Sequence, residues 1–435
     1  MNEDSWVFAE KLVPANYVRQ AANATSTKEN LIRQLIQHRT IPEVGWKDIT
    51  IETFLYQLSS MDSNNFNSNF GVGERESRIA SDLVAKRHYY FGHGIGRSGD
   101  LNEPQPKAGG SSLMYALTNC MFKDLIKLMG ITSSLQCLVV PVATGMALVL
   151  SMLSFRTLRP KAKYVIWLRI DQKTCFKSIL AAGFEPIIID AERCGDQLAS
   201  GIDQVRLAIE EHGSSLIACV MSTTSCFAPR IGDDIEQIGI TCKKYDVPHL
   251  VNNAYGLQSR RVMKKIQNAH LRGRIDAFVQ STDKNLMVPV GGAVIASFNP
   301  DVLKEISKTY PGRASATPIM DSFITLLHLG KSGYNQLVNE RETMLDYLKN
   351  SLLELAEEFG ERVLQTPENI YLLVRWGSHT NCYMDNTPYI TSAAAIGVKK
   401  EDIDGYIAKL RKVLLRVHRE ENNEHDDGSE IELKG

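Results

Sequence analysis

Apolar and polar stretches alternate regularly from about Leu138 to Phe298. The apolar runs that predict strands are CLVVPVA, KYVIWLR, EPIIID, SLIACVMST, PHLVN and IDAFVQS. The patterns between them predict helices near Thr144–Arg156, Gln172–Ala182, Gly201–His212 and Asp234–Tyr245. Strands that alternate with helices indicate βαβ units and a mostly parallel, buried sheet. Because ligands of such sheets bind beyond the carboxyl ends of the strands, we expect the chemistry there.

The segments on either side of this core have other patterns. The stretch Thr25–His38 predicts a helix that has Thr25 or Ser26 as its N-cap. Residues Met61–Ser112 are rich in Gly, Asn, Ser and Arg, which is typical of a functional loop or a linker. Long helical patterns cover Met320–Glu358, whereas the charged, apolar-poor stretch Glu420–Gly435 predicts disorder.

These patterns predict four regions. Residues 1–135 form an N-terminal helical extension with an active-site loop, and residues 136–310 form a large α/β domain. Residues 311–419 form a small C-terminal domain, and residues 420–435 form a disordered acidic tail.

Composition narrows the class of protein. The chain has 435 residues, of which 43% are hydrophobic and 23% charged, as is ordinary for a globular protein with one large domain and smaller lobes. The formal net charge of -1 does not indicate a nucleic-acid or membrane partner, so any polyanion site must be local. None of the eight cysteines forms a C-x-x-C pair, which argues against a zinc site and favours reduced thiols in the cytoplasm. No apolar run approaches membrane-spanning length.

Lys284 lies directly after the apolar run IDAFVQS, in STDKNLMVPVGG. A single lysine after a strand is usually a surface residue. Three other features favour a chemical role: the Ser281 hydroxyl, the helix start Thr144-Gly145 in PVATGM, and the strand end at Asn252 in HLVNNAYG. Taken singly, the helix start is an ordinary cap and the strand end an Asx turn. Together they are the parts of a pyridoxal phosphate (PLP) enzyme: a reactive lysine, a group that faces the pyridine nitrogen, and a helix N-terminus for the phosphate.

A second rich region is the glycine- and arginine-containing loop NFGVGERE…FGHGIGRSGDLNEPQPKAGGSS. Glycines allow backbone N–H groups to approach an anion, and an arginine fork matches a phosphate group. Arg97-Ser98 therefore predicts a phosphate site, with a flexible solvated loop as the alternative. GHGIG resembles a dinucleotide fingerprint only weakly, because no clear helix follows it. Arg313, in YPGRASA, adds a cation that could bind a carboxylate or a phosphate group.

The motifs that follow closely resemble those of the eukaryotic O-phosphoseryl-tRNA(Sec) selenium transferase family. They are MDSNNF, GVGERE, HGIGRSGD, QPKAGGSSL, RIDQKTCFKS, STTSCFAPR, VNNAYG, GRIDAFVQSTDKN, VPVGGA and YPGRASA. The resemblance runs from about Ala15 to Leu355 and resumes at SHTNCYMDNTPYITSAAAIGVKKEDID. It implies a fold-type-I PLP enzyme that is a homotetramer, built as a dimer of dimers. The implied reaction converts phosphoseryl-tRNA(Sec) to selenocysteinyl-tRNA(Sec) with selenophosphate, in the cytoplasm.

The resemblance also implies roles for individual residues. Lys284 is implied to form the Schiff base with PLP, and Asn252 to face the pyridine ring, where most fold-type-I enzymes have aspartate. The other implied cofactor contacts are Thr144, Gly145, Ser281 and Arg75. The implied contacts to the substrate phosphate or selenophosphate are Arg97, Ser98, Gln105, Gln172 and Arg313. Arg33 is implied to contact the tRNA backbone from a neighbouring subunit.

The chain departs from the family pattern in two ways. Polar or apolar residues stand where relatives are often more basic, at Ser26, His38, Thr40 and Leu271. Several dozen residues are missing around Thr366–Asn381, a region that in the family includes an arginine for the tRNA acceptor end. An alternative hypothesis is therefore a tRNA(Sec)-binding assembly protein with impaired catalysis, and a weaker one is a PLP lyase that acts on a free amino acid.

Overall fold

The computed structural model describes residues 3–68, 70–73, 76–170, 172–225, 230–364, 371–374 and 390–431. The chain divides into two compact units, and each is described by itself. The first unit contains Met1–Ala143 and Val288–Tyr334, and the second contains Thr144–Met287 and Asn335–Gly435. No helix among the described residues is long and apolar enough to cross a membrane.

Helices precede the first strand, and from there to residue 297 helices and strands largely alternate, as the sequence pattern predicts. The helices are α1 Glu3–Ala9, α2 Ala15–His38, α3 Asp48–Ser59, α4 Asp82–Arg87, α5 Gly109–Leu128, α6 Thr144–Leu158, α7 Lys173–Ala181, α8 Ile202–His212, α9 Ile235–Lys244, α10 Arg260–Arg272, α11 Thr282–Leu286, α12 Pro300–Ser307, α13 Thr317–Glu358 and α14 Lys400–Ile431. The strands are β1 Gln136–Val140, β2 Tyr164–Leu168, β3 Glu185–Ile189, β4 Ala191–Cys194, β5 Gln197–Ser200, β6 Ile217–Thr223, β7 His249–Asn252, β8 Ala277–Ser281, β9 Ala293–Ser297, β10 Val363–Leu364, β11 Tyr371–Val374 and β12 Ile390–Ala393.

The second unit contains five parallel strands in the order β8-β7-β6-β2-β3. Every residue of β6, β7 and β8 is buried, because helices cover both faces of a parallel sheet. One part of the core joins β2, β3 and β6 to α8 and α9 through aliphatic side chains such as Ile166, Val205 and Ile238. The prediction of a mostly parallel, helix-flanked sheet is confirmed.

The first unit is mainly helical around one strand pair. Strands β1 and β9 pair antiparallel, with Leu138 opposite Ile295. Helix α5 packs against β1, and the Tyr115 hydroxyl on that helix donates a 2.9 Å hydrogen bond to the Val139 carbonyl. This packing places the start of α5 next to the glycine-rich segment that precedes it in the chain.

Helix α2 corrects the N-cap prediction. It begins at Ala15, with Pro14 in the cap position, and not at Thr25 or Ser26. The Thr25 hydroxyl donates instead to the Ala21 carbonyl one turn earlier, at 3.1 Å. Because this bond satisfies the hydroxyl inside a helix, the Ser and Thr residues here do not mark an end.

The C-terminal part of the second unit has a sheet and a core of its own. Strands β10, β11 and β12 form an antiparallel sheet, and α13 and α14 contribute a core that includes Leu352 and Leu410. The α14 backbone is helical to Ile431. The four predicted regions, including the disordered tail, stay predictions, and most of the shortened segment 366–381 lies outside the described residues.

Candidate active site

Lys284 lies in α11, the short helix that follows the buried strand β8 without a break. Its Nζ is 3.3 Å from the Ser281 Oγ and 3.3 Å from the Asp283 Oδ2. The same nitrogen lies 5.3 Å from the centre of the Tyr255 ring, where the ring face attracts a cation. The Lys284 side chain is 30% exposed. The lysine is therefore held in place by three neighbours and is still open to a reactant.

Asn285 fixes the backbone that carries Lys284. Its buried amide donates to the Ser281 carbonyl at 2.7 Å and to the Ala254 carbonyl at 2.8 Å. Its Oδ1 accepts the Gln258 N–H at 3.1 Å, and the Gln258 side chain donates to the Lys284 carbonyl at 3.0 Å. This network joins the lysine helix to the segment after β7, and sequence reasoning missed it. The only signal was that Asn285 is polar between apolar runs.

Asn252 is the last residue of β7, and its amide is buried. The Oδ1 accepts the Ala254 N–H at 3.2 Å, and the Nδ2 lies 3.3 Å from the Cys175 Sγ on α7. Burial raises the pKa of the Cys175 thiol to about 12, although the Asn252 hydrogen bond lowers it slightly. The sulfur is therefore a neutral thiol at physiological pH, and Asn252 has a fixed amide orientation with no ion pair.

The start of α6 has the features of an anion site. The Thr144 Oγ1 is buried and has no hydrogen-bond partner among the described residues. A Cβ on Gly145 would lie 2.4 Å from the Thr174 methyl group, so this position requires glycine. Free N–H groups at the first turn of a helix attract a phosphate group. An orphaned hydroxyl at the start of a helix with free N–H groups fits the phosphate of PLP.

Gln172 lies in the same unit and caps α7. Its Oε1 accepts from the Thr174 N–H at 3.4 Å and from the Thr174 hydroxyl at 3.2 Å. The side chain is exposed. A role for Gln172 with the substrate phosphate stays a prediction, as do the roles of Thr144, Gly145, Ser281, Asn252 and Lys284.

The first unit contains the glycine–arginine loop, which we define as Gly92–Asp100. Three of its glycines have positive φ, as does the non-glycine residue Ser98, at 51°. A Cβ on Gly94 would lie 2.4 Å from the Ala314 carbonyl oxygen. The close approach of the loop to Ala314 therefore requires glycine at position 94. Ile95 and Ala314 exchange two backbone hydrogen bonds of 3.0 Å, and Arg97 and Asp100 close a turn with two of 2.9 Å.

This arrangement brings several predicted phosphate contacts into one unit. Arg313 donates to the His93 carbonyl at 3.2 Å, next to the glycine–arginine loop. The Arg97 and Ser98 side chains are exposed, and they have no hydrogen-bond partner among the described residues. Gln105 donates through its backbone N–H to the Ser112 hydroxyl at 3.1 Å, which leaves its side-chain amide available. Arg75 lies outside the described residues.

Arg33 lies on the exposed side of α2 and donates to the Asn30 side chain at 3.0 Å. It borders a shallow apolar depression with Ile32 and Ile36. Leu271 is 64% exposed on α10, and the adjacent Arg272 is ion-paired with Glu236. Arg33 and Leu271 are both surface positions, and a tRNA contact by Arg33 stays a prediction.

The fold is that of the fold-type-I PLP-dependent enzymes. Distant structures share it: sphingosine-1-phosphate lyase of Burkholderia pseudomallei has a TM-score of 0.58 at 12% identity and covers 97% of this chain and 95% of its own. Oryza sativa TDC with PLP and tryptamine has a TM-score of 0.56 at 10% identity, with 93% and 99% covered. At such identities the likeness establishes the fold alone.

The family model of O-phosphoseryl-tRNA(Sec) selenium transferase, SepSecS, matches residues 61–377. The chain belongs to this family. The enzyme of that name from Dictyostelium discoideum is 41% identical over 477 residues, which cover 95% of this chain and 99% of the relative. The Caenorhabditis elegans enzyme is 48% identical over 347 residues, 79% and 72% of the two chains. The crystal structure of the archaeal enzyme has a TM-score of 0.88 at 33% identity and covers 93% of this chain and 98% of its own.

The match with the Dictyostelium enzyme bears on the shortened segment. Its 477 aligned positions exceed the 435 residues of this chain, so the relative has residues that face gaps here. This chain therefore lacks residues that the Dictyostelium enzyme has, and their location around 366–381 stays a prediction.

Proposed function

We propose that this chain converts O-phosphoseryl-tRNA(Sec) to selenocysteinyl-tRNA(Sec) with selenophosphate, in a PLP-dependent β-replacement. This is the last step of selenocysteine biosynthesis. The observation that carries the proposal is the position of Lys284, whose helix is tied by Asn285 to the segment after Asn252, in a member of the selenium transferase family. A lysine at the carboxyl end of a parallel strand has the location that ligand chemistry requires in such sheets.

The start of α6 and the ends of β7 and β8 carry residues that would hold the cofactor. The Thr144 hydroxyl and the first N–H groups of α6 would bind its phosphate, and the Lys284 amine would bind it covalently. Asn252 would face the pyridine nitrogen with a neutral amide, and Ser281 would keep the lysine in place. Arg75 is a further proposed contact. When bound, PLP supplies an electron sink for the charge that develops at Cα.

Lys284 and the proposed phosphate contacts would act on the substrate. Lys284 Nζ would take the proton from Cα, and the Cβ–O bond would then break, so that phosphate leaves with the bonding electrons. The proposed contacts to the leaving phosphate are Arg97, Ser98, Gln105, Gln172 and Arg313, which would stabilise that charge. The selenium of selenophosphate would then bond to Cβ while Lys284 returns the proton to Cα, and water would cleave the Se–P bond, so that the phosphoryl group leaves as phosphate. Arg33 would contact the tRNA backbone from a neighbouring subunit of a homotetramer, a dimer of dimers, in the cytoplasm.

The alternative hypothesis, a tRNA(Sec)-binding assembly protein with impaired catalysis, is not favoured. The described part of the C-terminal region has a three-stranded sheet and a core against α13 and α14, so the shortening leaves a packed region. A lyase for free amino acids would not need an exposed helix such as α2 for a tRNA contact.

Turnover of phosphoseryl-tRNA(Sec) with selenophosphate, measured beside turnover of free phosphoserine, tests the proposal. We expect selenocysteinyl-tRNA(Sec) as the product, little reaction with free phosphoserine, and a cofactor absorbance that disappears in Lys284→Ala. Cofactor absorbance without turnover of the charged tRNA would contradict the proposal and support the binding protein.

A further inference from the structure

His93 is a buried histidine whose two ring nitrogens both meet serine hydroxyls. It is 3% exposed, with its Nδ1 2.8 Å from the Ser77 Oγ and its Nε2 3.1 Å from the Ser63 Oγ. Burial lowers the pKa of the ring below its usual value; Arg313 and Lys107 add to this effect, whereas Asp62 and Glu76 oppose it, and the net lowering keeps the imidazole neutral at physiological pH. A neutral ring donates one hydrogen bond and accepts one, and the two serines satisfy both functions.

Each of these hydrogen bonds reaches a different segment of the first unit. Ser63 donates its backbone N–H to the Lys107 carbonyl at 2.8 Å, two residues beyond Gln105. Ser77 follows Arg75 by two residues and has a φ of 55°, an uncommon conformation for a residue with a side chain. The His93 backbone carbonyl accepts the Arg313 guanidinium, and the same loop continues to Arg97. The ring thus lies where the segments that carry Gln105, Arg313 and Arg97 come together.

The glycines on either side of His93 allow the close packing of its ring against the neighbouring segments. A Cβ on Gly92 would lie 2.8 Å from the Ser77 Cβ, so glycine is needed for Ser77 to reach the ring. On the other side, Gly94 has a φ of 72°, which allows the loop to turn toward Ala314. The strained backbone of Ser77 and the close contacts at Gly92 and Gly94 are stable only if the surrounding structure holds them. The hydrogen bonds of the imidazole to Ser63 and Ser77 are two of the contacts that do so.

We propose that His93 is a positioning residue that holds Arg313 and the glycine–arginine loop in the geometry that binds the substrate phosphoryl group. This inference rests on the proposed function, because it assumes that these residues bind phosphate. His93 itself does not touch the reacting atoms. It acts through its carbonyl on Arg313 and through the two serines on the segments next to Arg75 and Gln105.

The test compares affinity for tRNA(Sec) charged with phosphoserine and with serine, because only the first carries the phosphoryl group. His93→Leu keeps the side-chain volume and removes both ring hydrogen bonds, whereas His93→Gln keeps part of the hydrogen bonding. His88→Ala is the matched control: it removes another histidine of the same unit whose Nδ1 meets a hydroxyl, that of Thr317, at 3.3 Å.

We expect His93→Leu to lower the ratio of the two affinities by about tenfold or more, since misaligned charge-assisted hydrogen bonds lose that much. Affinity for seryl-tRNA(Sec) should stay unchanged, and His93→Gln should keep more of the ratio than His93→Leu. His88→Ala should keep the wild-type ratio. A folded His93→Leu variant with the wild-type ratio would overturn the inference, because filling the space would then suffice.

Two further results separate the possible failures. If the wild-type protein binds both charged tRNAs equally, the proposed phosphate site is wrong and the inference fails with it. If His93→Leu does not fold, by circular dichroism and cofactor absorbance, Ser77→Ala and Ser63→Ala replace it. A lower ratio in either serine variant supports the role of His93, and a wild-type ratio in both overturns it.

Discussion

The region around Lys284 and the glycine–arginine loop differ in how their polar groups are held. Near Lys284, buried side chains bond to one another and to backbone, as at Asn252 and Asn285. In the glycine–arginine loop, backbone hydrogen bonds and positive φ angles determine the backbone conformation. The Arg97 and Ser98 side chains are exposed to solvent. A group that binds a cofactor covalently benefits from a rigid frame, whereas groups that receive a large substrate must stay accessible before it arrives. The difference predicts that changes in the first region affect the cofactor and stability, and changes in the second affect substrate affinity.

The largest expected effect is that of Lys284→Ala. We expect turnover to fall by about a thousandfold or more, because both a covalent bond and a proton-transfer group are lost. The bound-cofactor absorbance should disappear as well. Lys264→Ala, which removes an exposed lysine of the same unit, is the control and should keep both signals. Retained turnover in Lys284→Ala would show that Lys284 takes no part in the reaction.

The buried frame should also make stability depend on pH through His249, at the start of β7. Its Nε2 meets the Ser222 hydroxyl at 2.7 Å, its Nδ1 meets the Arg274 carbonyl at 3.0 Å, and burial lowers its pKa to about 4. Because the unfolded state has the higher pKa, it binds the proton first. The free energy of unfolding should therefore fall by up to about 3 kcal/mol as the pH decreases from 6.5 toward 4.

Denaturant unfolding at pH 7.5 and pH 5 checks this effect. His249→Gln should weaken the pH dependence, while the control His38→Gln, at the exposed end of α2, should leave it intact. An unchanged dependence in His249→Gln would show that another group titrates.

For Arg97 of the glycine–arginine loop and Arg313 beside it, we expect substitution by alanine to weaken binding of phosphoseryl-tRNA(Sec). Each change should reduce the affinity by about tenfold to a hundredfold, the usual value of a hydrogen bond to a charged group. The cofactor absorbance and the unfolding midpoint should change little, in contrast with the lysine region. Binding assays beside absorbance spectra measure both. A loss of cofactor from either variant would break the comparison between the two regions.

The smallest expected effect is that of Asn252→Asp. A carboxylate near the pyridine nitrogen should raise the pH at which the bound cofactor titrates by about one unit, since an opposite charge favours the protonated ring. It also removes the donor to Cys175. Absorbance titrations of both proteins test this, and an unchanged titration with an unchanged rate would mean that Asn252 does not face the ring. Cys175→Ala removes the same contact without adding charge and is the control.

Much of the fold could be predicted because its signals are local. The alternation of apolar runs located β2, β3, β6, β7 and β8 within one or two residues, since parallel strands buried on both faces are apolar throughout. The start of α2 was placed wrongly, because a Ser or Thr can lie inside a helix. End signals of this kind are weak where neighbouring turns already favour the helix.

The sequence by itself determined the fold class and the family and made Lys284 the candidate cofactor lysine, because each depends on motifs that are continuous along the chain. Only the tertiary structure decided which groups surround that lysine and that His93 joins Ser63, Ser77 and Arg313. These partners are separated by 16 to 220 residues, so their contacts depend on how the chain folds back. Side-chain hydrogen bonds between distant segments leave no periodic pattern in the sequence, and for this reason no local pattern could reveal them.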